Sequence, residues 1–158
     1  MSCHSPEKPE IKEIGTNSIT HADVEHWLTV WNSHNIDSIN ALFSNDAVIY
    51  QPQNSIALTK NSMNAFFEMV FKTYPDITFE SQAIIVEGYD VVSWENVTGT
   101  MLGTFTDPIT GKVFQPNGKK FAYEAAKRIK YNTDHKIKEL HILLDELILS
   151  RQLGLEMK

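Results

Sequence analysis

The sequence predicts an α+β fold in which helices pack into a curved antiparallel sheet around an apolar pocket. Helical periodicity is confined to the first half of the chain and its last dozen residues. The rest is a run of strand-like segments joined by hairpin-type turns, the order of adjacent antiparallel strands rather than of βαβ units. With 158 residues, 42% of them hydrophobic, one core can form without disulfides or metal.

Residues 1–18 carry Pro, Glu and Lys with little to bury and read as a flexible tail, leaving 19–158 as a single domain. Thr20-His21-Ala22-Asp23 has the form of a capping box, with a hydroxyl at the N-cap and a carboxylate three residues on. Val24, Trp27, Leu28 and Trp31 then recur on one helical face. A second short helix follows through Ile36, Ile39, Leu42 and Phe43. Ser44-Asn45-Asp46 ends it, because these side chains compete for their own backbone groups. Ala47 to Gln51 is a strand stopped by Pro52. Helical period returns from Thr59 to Tyr74, with Met63, Phe66, Phe67, Val70, Phe71 and Tyr74 on one stripe; such stripes belong to cores more often than to ligand sites. Pro75 ends this helix. Strands are expected from Ile77 to Val86 and from Val91 to Phe105, around a turn at Glu87-Gly88-Tyr89-Asp90. A loop through Asp107-Pro108 and Gln115-Pro116-Asn117-Gly118 leads to two more, Phe121 to Tyr131 and Ile137 to Leu144. A last helix fits Glu146 to Leu153, closed by Gly154.

Composition excludes several function classes. A net charge of -6 argues against a nucleic-acid surface. Eight of the fourteen Lys and Arg residues fall between Lys112 and Lys138, but they alternate with apolar positions as solvated strand faces do. Cys3 is the one cysteine, so neither an internal disulfide nor a Cys-based zinc site can form, and it reads as an exposed thiol without a role. No apolar run reaches the ~20 residues of a membrane span. Met1 to Glu13 lacks the basic-then-apolar order of a secretory signal, so a cytoplasmic location is expected.

On the strand from Phe121, alternation places Phe121, Tyr123, Ala125, Ile129 and Tyr131 on one face together with Lys127. Glu124, Arg128 and Lys130 take the other. On the next strand Lys136 and Lys138 should face water, which turns Ile137, Glu139, His141, Leu143 and Asp145 inward. Pairing Ile129 with Ile137 then sets Lys127 opposite Glu139, so that two inward charges neutralise each other. Leu140, Ile142 and Leu144 are left as an apolar outer face, and a second copy of the chain is its natural cover.

No phosphate loop, dinucleotide glycine motif, nucleophile elbow or zinc-type His pair is present. Of the six histidines only His141 is placed inside, either as a satisfied core side chain or as an acid/base working near neutral pH. Asp145 stands where a strand runs into a helix, at the rim of the expected pocket. Partial burial beside Leu143 and Phe121 would make its carboxylate a stronger base, able to take a proton from a carbon next to a carbonyl. Asp is equally a favoured helix N-cap. Four residues along a strand span about 13 Å, so His141 and Asp145 would grip two ends of a ligand rather than form a dyad. Trp27, Trp31, Tyr50, Phe67, Trp94, Phe121, Tyr123 and Leu143 are the expected lining.

Five short blocks carry a family resemblance. Trp31-Asn32-Ser33-His34-Asn35-Ile36-Asp37 has the form W-N-x-H-x-x-D, and Leu42-Phe43 with Asn45-Asp46-Ala47-Val48 follows it. Tyr74-Pro75-Asp76-Ile77 fits an F-P-D-hydrophobic step, and Thr98-Gly99-Thr100 with Gly103 and Phe105 fits T-G-T-x-x-G-x-F. Asp145-Glu146-Leu147 with Arg151-Gln152-Leu153-Gly154 fits D-x-L…R-Q-L-G. In this order, over residues 22 to 155, they resemble the SnoaL-like polyketide cyclases and their wider ester-cyclase relatives. The resemblance implies a cone-shaped α+β barrel of the nuclear-transport-factor-like, ketosteroid-isomerase-like (cystatin-like) type, usually dimeric, with no metal or organic cofactor. It also implies that Asp145 is the general acid/base of an intramolecular aldol closure. The expected function is then a cofactor-independent cyclase or isomerase acting on a small, largely apolar carbonyl compound. Asp145 would shuttle the proton and His141 would orient or polarise the carbonyl. The alternative is a non-catalytic domain of the same fold, binding small hydrophobic ligands or a second copy, in which Asp145 only caps a helix.

Overall fold

A computed structural model describes residues 18–51, 56–107 and 111–155. Residues 1–17 of the expected tail, with Cys3, and the prolines at 52 and 108 lie outside them. Helix α1 (His21–Asn32) starts at Thr20 with the expected reciprocal cap: the Thr20 N–H donates to Asp23 Oδ2 at 2.8 Å, and the Asp23 N–H to the Thr20 hydroxyl. Its buried face is Val24, Trp27, Leu28 and Trp31. Helix α2 (Ile36–Ala41) is capped by Asn35, whose Oδ1 accepts the Ser38 N–H. It stops before Leu42, and Ser44-Asn45-Asp46 is no turn: strand β1 (Phe43–Gln51) already begins at Phe43. Burial of Phe43 and Ser44 overrides the local turn preference, and the Ser44 hydroxyl donates to Asp46 instead of to its own backbone.

Strand β2 (Ile56–Thr59) leads into α3 (Lys60–Thr73), and the long hairpin of β3 (Thr78–Glu87) and β4 (Asp90–Thr100) follows. β4 ends five residues before the expected Phe105. The Leu102 and Gly103 N–H groups turn away to the Thr73 carbonyl, and a side chain at Gly103 would run into the Lys72 backbone. A two-stranded ribbon, β5 (Phe105–Thr106) with β6 (Val113–Phe114), precedes β7 (Lys120–Tyr131), β8 (Ile137–Leu144) and α4 (Glu146–Leu153). Gly154 closes α4 at φ 66.

The main sheet runs β2-β1-β8-β7-β4-β3. It is mixed rather than purely antiparallel, because β1 and β8 are parallel neighbours. It also stays open, with β2 and β3 as its two edges, and forms a cone rather than a closed barrel. α1 packs against β3, and α3 against β1 and β2. No helix among the described residues is long and apolar enough to cross a membrane.

The face assignment of β8 is inverted. The pairing sets Ile129 opposite Leu140, Lys127 opposite Ile142 and Ala125 opposite Leu144, while Glu139 lies beside Lys130. Leu140 and Ile142 are buried and Leu143 is 51% exposed. The cause is one bulge: Tyr131 pairs with Ile137 and Lys130 with Glu139, so Lys138 is an extra residue that reverses the alternation after Ile137. The expected Lys127–Glu139 pair and the outward Leu140, Ile142 and Leu144 therefore do not form.

Candidate functional site

Between the sheet and α3 lies a cavity of about 540 Å³, within the range of small-molecule sites. The stripe on α3 is its wall: Phe66, Phe67, Val70 and Phe71 line it, continued by Tyr74. The stripe is thus core and site at once. Opposite stand Phe79, Phe121, Tyr123, Ile142 and Leu144 of the sheet, with Trp31 from α1 and Leu149 from α4.

Of the residues expected to line a pocket, Trp31, Phe67, Phe121 and Tyr123 do. Trp27 is buried one layer away, its ring centroid 5.0 Å from that of Trp31. Tyr50, Trp94 and Leu143 are on the outside of the sheet, Trp94 being 44% exposed. His141 is also outside, carried there by the bulge. Its ring stacks on Tyr50 with centroids 4.6 Å apart, and its Nε2 is 3.9 Å from Glu139 Oε2.

Asp145 is exposed, and its Oδ1 accepts the Leu147 and Ile148 N–H groups, each at 3.0 Å, as the N-cap of α4. It borders a shallow outer hollow with Trp94, Glu124, Ala126 and Leu143. Its chain neighbours Leu144 and Glu146 line the main cavity.

The polar groups of the cavity differ from those expected. Lys127, 2% exposed, lines it, and its Nζ donates to Glu95 Oε2 at 2.5 Å. Glu95 is fully buried on β4, and its Oε1 accepts the Ser93 hydroxyl at 2.6 Å. The Lys127 Nζ also sits over the rings of Trp27, Trp31 and Phe79, at 4.5, 4.8 and 4.4 Å from their centroids. Burial pulls the Lys127 pKa down, and the charge and hydrogen bond of Glu95 oppose the shift. Gln51, Ser62, Asp107, Glu146 and Ser150 also line the cavity, together with two phenols. Burial pushes Tyr74 up to about 12. Tyr123 is pushed further, by burial first and then by Tyr74 and Glu95, so both keep their protons as hydrogen-bond donors. Glu95 was missed by sequence reasoning, although the alternation of Val91, Ser93, Glu95 and Val97 puts it on the inner face. Among the described residues no cluster of His, Cys, Asp and Glu gathers as a metal site.

The comparisons agree with this architecture. Solved structures under 25% identical show the same fold. AclR, a proposed hydroxylase from Streptomyces galilaeus, is 23% identical over 87% of this chain and 82% of its own, with a TM-score of 0.72. IdmH, a proposed polyketide cyclase from Streptomyces antibioticus, is 20% identical over 84% and 96%, with a TM-score of 0.67. A proposed SnoaL-like polyketide cyclase from Jannaschia sp. CCS1 is 17% identical over 98% and 100%, with a TM-score of 0.72. No functionally curated protein matches the sequence. The family model for SnoaL-like polyketide cyclases matches residues 22–153, so the blocks from Trp31 to Leu153 and the open cone they build have one origin: the chain belongs to the SnoaL-like polyketide cyclase family.

Proposed function

We propose that the chain is a cofactor-independent enzyme of the cyclase or isomerase type, which takes a small, largely apolar carbonyl compound into the α3 cavity and moves a proton at the carbon beside its carbonyl. The observation that carries this reading is the cavity itself, walled by aromatic side chains with a few buried donors among them. Tyr123 and Tyr74 suit a carbonyl oxygen that gains negative charge, since a protonated phenol in an apolar wall stabilises an enolate. Asp145 is the proposed proton carrier. It stands at the end of β8, next to two residues of the cavity lining. His141, on the outer face, falls outside this proposal.

One observation favours a second reading. The Asp145 carboxylate holds two N–H groups of α4, which is the whole job of an N-cap. The same cavity would then bind ligand without turning it over.

Solvent deuterium exchange into apolar ketones separates the two. Wild-type protein should catalyse exchange beside the carbonyl, and Asp145→Asn should lower the rate by about 10²–10⁴-fold while thermal unfolding shows a folded variant. Full activity in the variant removes Asp145 as the proton carrier, and binding without exchange in the wild type selects the second reading.

A homodimer remains the proposed assembly, but through a different surface. The outward patch is Ile85 on β3, Val92 and Trp94 on β4 and Leu143 on β8, with Ala126 of β7 between Trp94 and Leu143.

A further inference from the structure

A cation in the middle of an apolar interior calls for a reason. A buried ion pair replaced by hydrocarbon of similar volume is often no less stable, so packing alone does not explain one. Lys127 and Glu95 are such a pair, and Lys127 also lines the cavity. Its ammonium has three N–H bonds. Among the hydrogen bonds of the described residues, the one that the Lys127 side chain makes is to Glu95. Three aromatic faces surround the same nitrogen. Glu95 is held in turn by Ser93, so the acid is oriented toward the amine.

We propose that Lys127 is a carbonyl-reactive amine that forms an iminium with an aldehyde or ketone in the cavity, with Glu95 relaying the proton. The inference rests on the reading of the cavity as a site for carbonyl compounds. Glu95 takes a proton from the ammonium, and the freed amine nitrogen adds to the carbonyl carbon. A nitrogen proton passes to the former carbonyl oxygen, giving a neutral carbinolamine. Glu95 returns its proton to that hydroxyl, which leaves as water while the C=N bond forms. The net change is ammonium plus carbonyl to iminium plus water, with no oxidant or reductant. The iminium is an electron sink, so it acidifies the neighbouring C–H far more than the parent carbonyl does. The surrounding hydrocarbon excludes the water that would hydrolyse it.

The test uses 6-methoxy-2-naphthaldehyde as an apolar carbonyl probe. Binding is read by quenching of tryptophan fluorescence, since Trp31 lines the cavity. Covalent capture is read after sodium cyanoborohydride reduction, by intact mass and peptide mapping. The expected result is one adduct per chain on Lys127, at least ten-fold above any other lysine. The adduct should vanish in Lys127→Met/Glu95→Gln while quenching persists. Quenching without an adduct on Lys127, or an adduct spread evenly over surface lysines, ends the iminium proposal and leaves the carbonyl cavity standing. An absence of quenching by this and other apolar carbonyl probes ends both. Peptide mapping of the wild type decides the matter even if the double variant does not fold.

Discussion

Lys127 shows how far a single side chain can depart from its usual place when its neighbours are arranged for it. Its stem crosses the core, its charge meets Glu95, and aromatic faces take up the remaining field. Removing one partner leaves the other buried and alone. Lys127→Met should therefore cost about 3–5 kcal/mol, measured by urea unfolding. Lys127→Met/Glu95→Leu should regain most of that loss. A double-variant loss equal to the sum of the Lys127→Met and Glu95→Leu losses would mean that the pair is not coupled. The inward position of Lys127 is legible in the sequence, because strand alternation alone puts it among Phe121, Tyr123 and Ile129. Its partner was not legible from the β7–β8 hairpin. Glu139 is a charged residue at a plausible position on the next strand, and only the extra Lys138 in the pairing moves it outward. Nothing in the composition of Lys136-Ile137-Lys138-Glu139 marks a bulge.

At the scale of elements, the family blocks prove to be fastenings of the scaffold. Asn32 donates to the Phe79 carbonyl and accepts its N–H, both at 2.9 Å, and His34 Nε2 meets the Ile77 carbonyl at 2.8 Å. The Asn32 contacts cover the backbone at the start of the edge strand β3, and His34 holds the residue just before it. Gln152 of α4 does the same for Ala122, accepting its N–H and donating to its carbonyl beyond the last pair that β8 supplies. The Asp76 carboxylate accepts the N–H and hydroxyl of Thr100, tying the end of β4 to the loop before β3. Such roles explain why the blocks identify the fold so well and the chemistry so poorly.

Asp76 carries a pH consequence. The Thr100 hydrogen bonds, the hydroxyl first, hold its pKa below 3.8. A carboxylate depressed in the folded state stabilises it fully above the unfolded pKa, and the contribution fades as pH falls through the folded value. Asp76→Asn should cost about 1 kcal/mol at neutral pH, the solvent-screened end for a charged acceptor. The gap between variant and wild type should close below pH 3.8. Urea unfolding at pH 7 and near pH 3 measures it, and a gap that widens in acid would contradict the assignment.

For the molecule as a whole, the sequence order of helices and strands made the α+β class readable, and the one error of parity in β8 moved the expected docking face to the wrong side. The corrected face makes a sharper prediction. If a second copy covers it, the wild-type chain should have a dimeric mass in light scattering at micromolar concentration, and Trp94→Glu should shift it to monomer with its fold intact. A wild-type monomer would remove the proposal. What the sequence left unreadable at this scale was the neighbour of β1. Hairpins announce themselves by their turns, whereas the parallel pairing of β1 with β8 joins segments from opposite ends of the chain and has no local signature.

That pairing has a consequence for biosynthesis. Ile49 lies beside Leu140, so β1 leaves the ribosome long before its central partner has been translated. Until then β1 can pair only with β2, and α3 covers a half-sheet whose inner edge is bare. The β3–β4–β7 meander is contiguous enough to assemble first, and β8 is the strand that joins the two halves. The nascent chain therefore carries an exposed edge beside an apolar layer through most of its synthesis, and the last strand is the one that closes it.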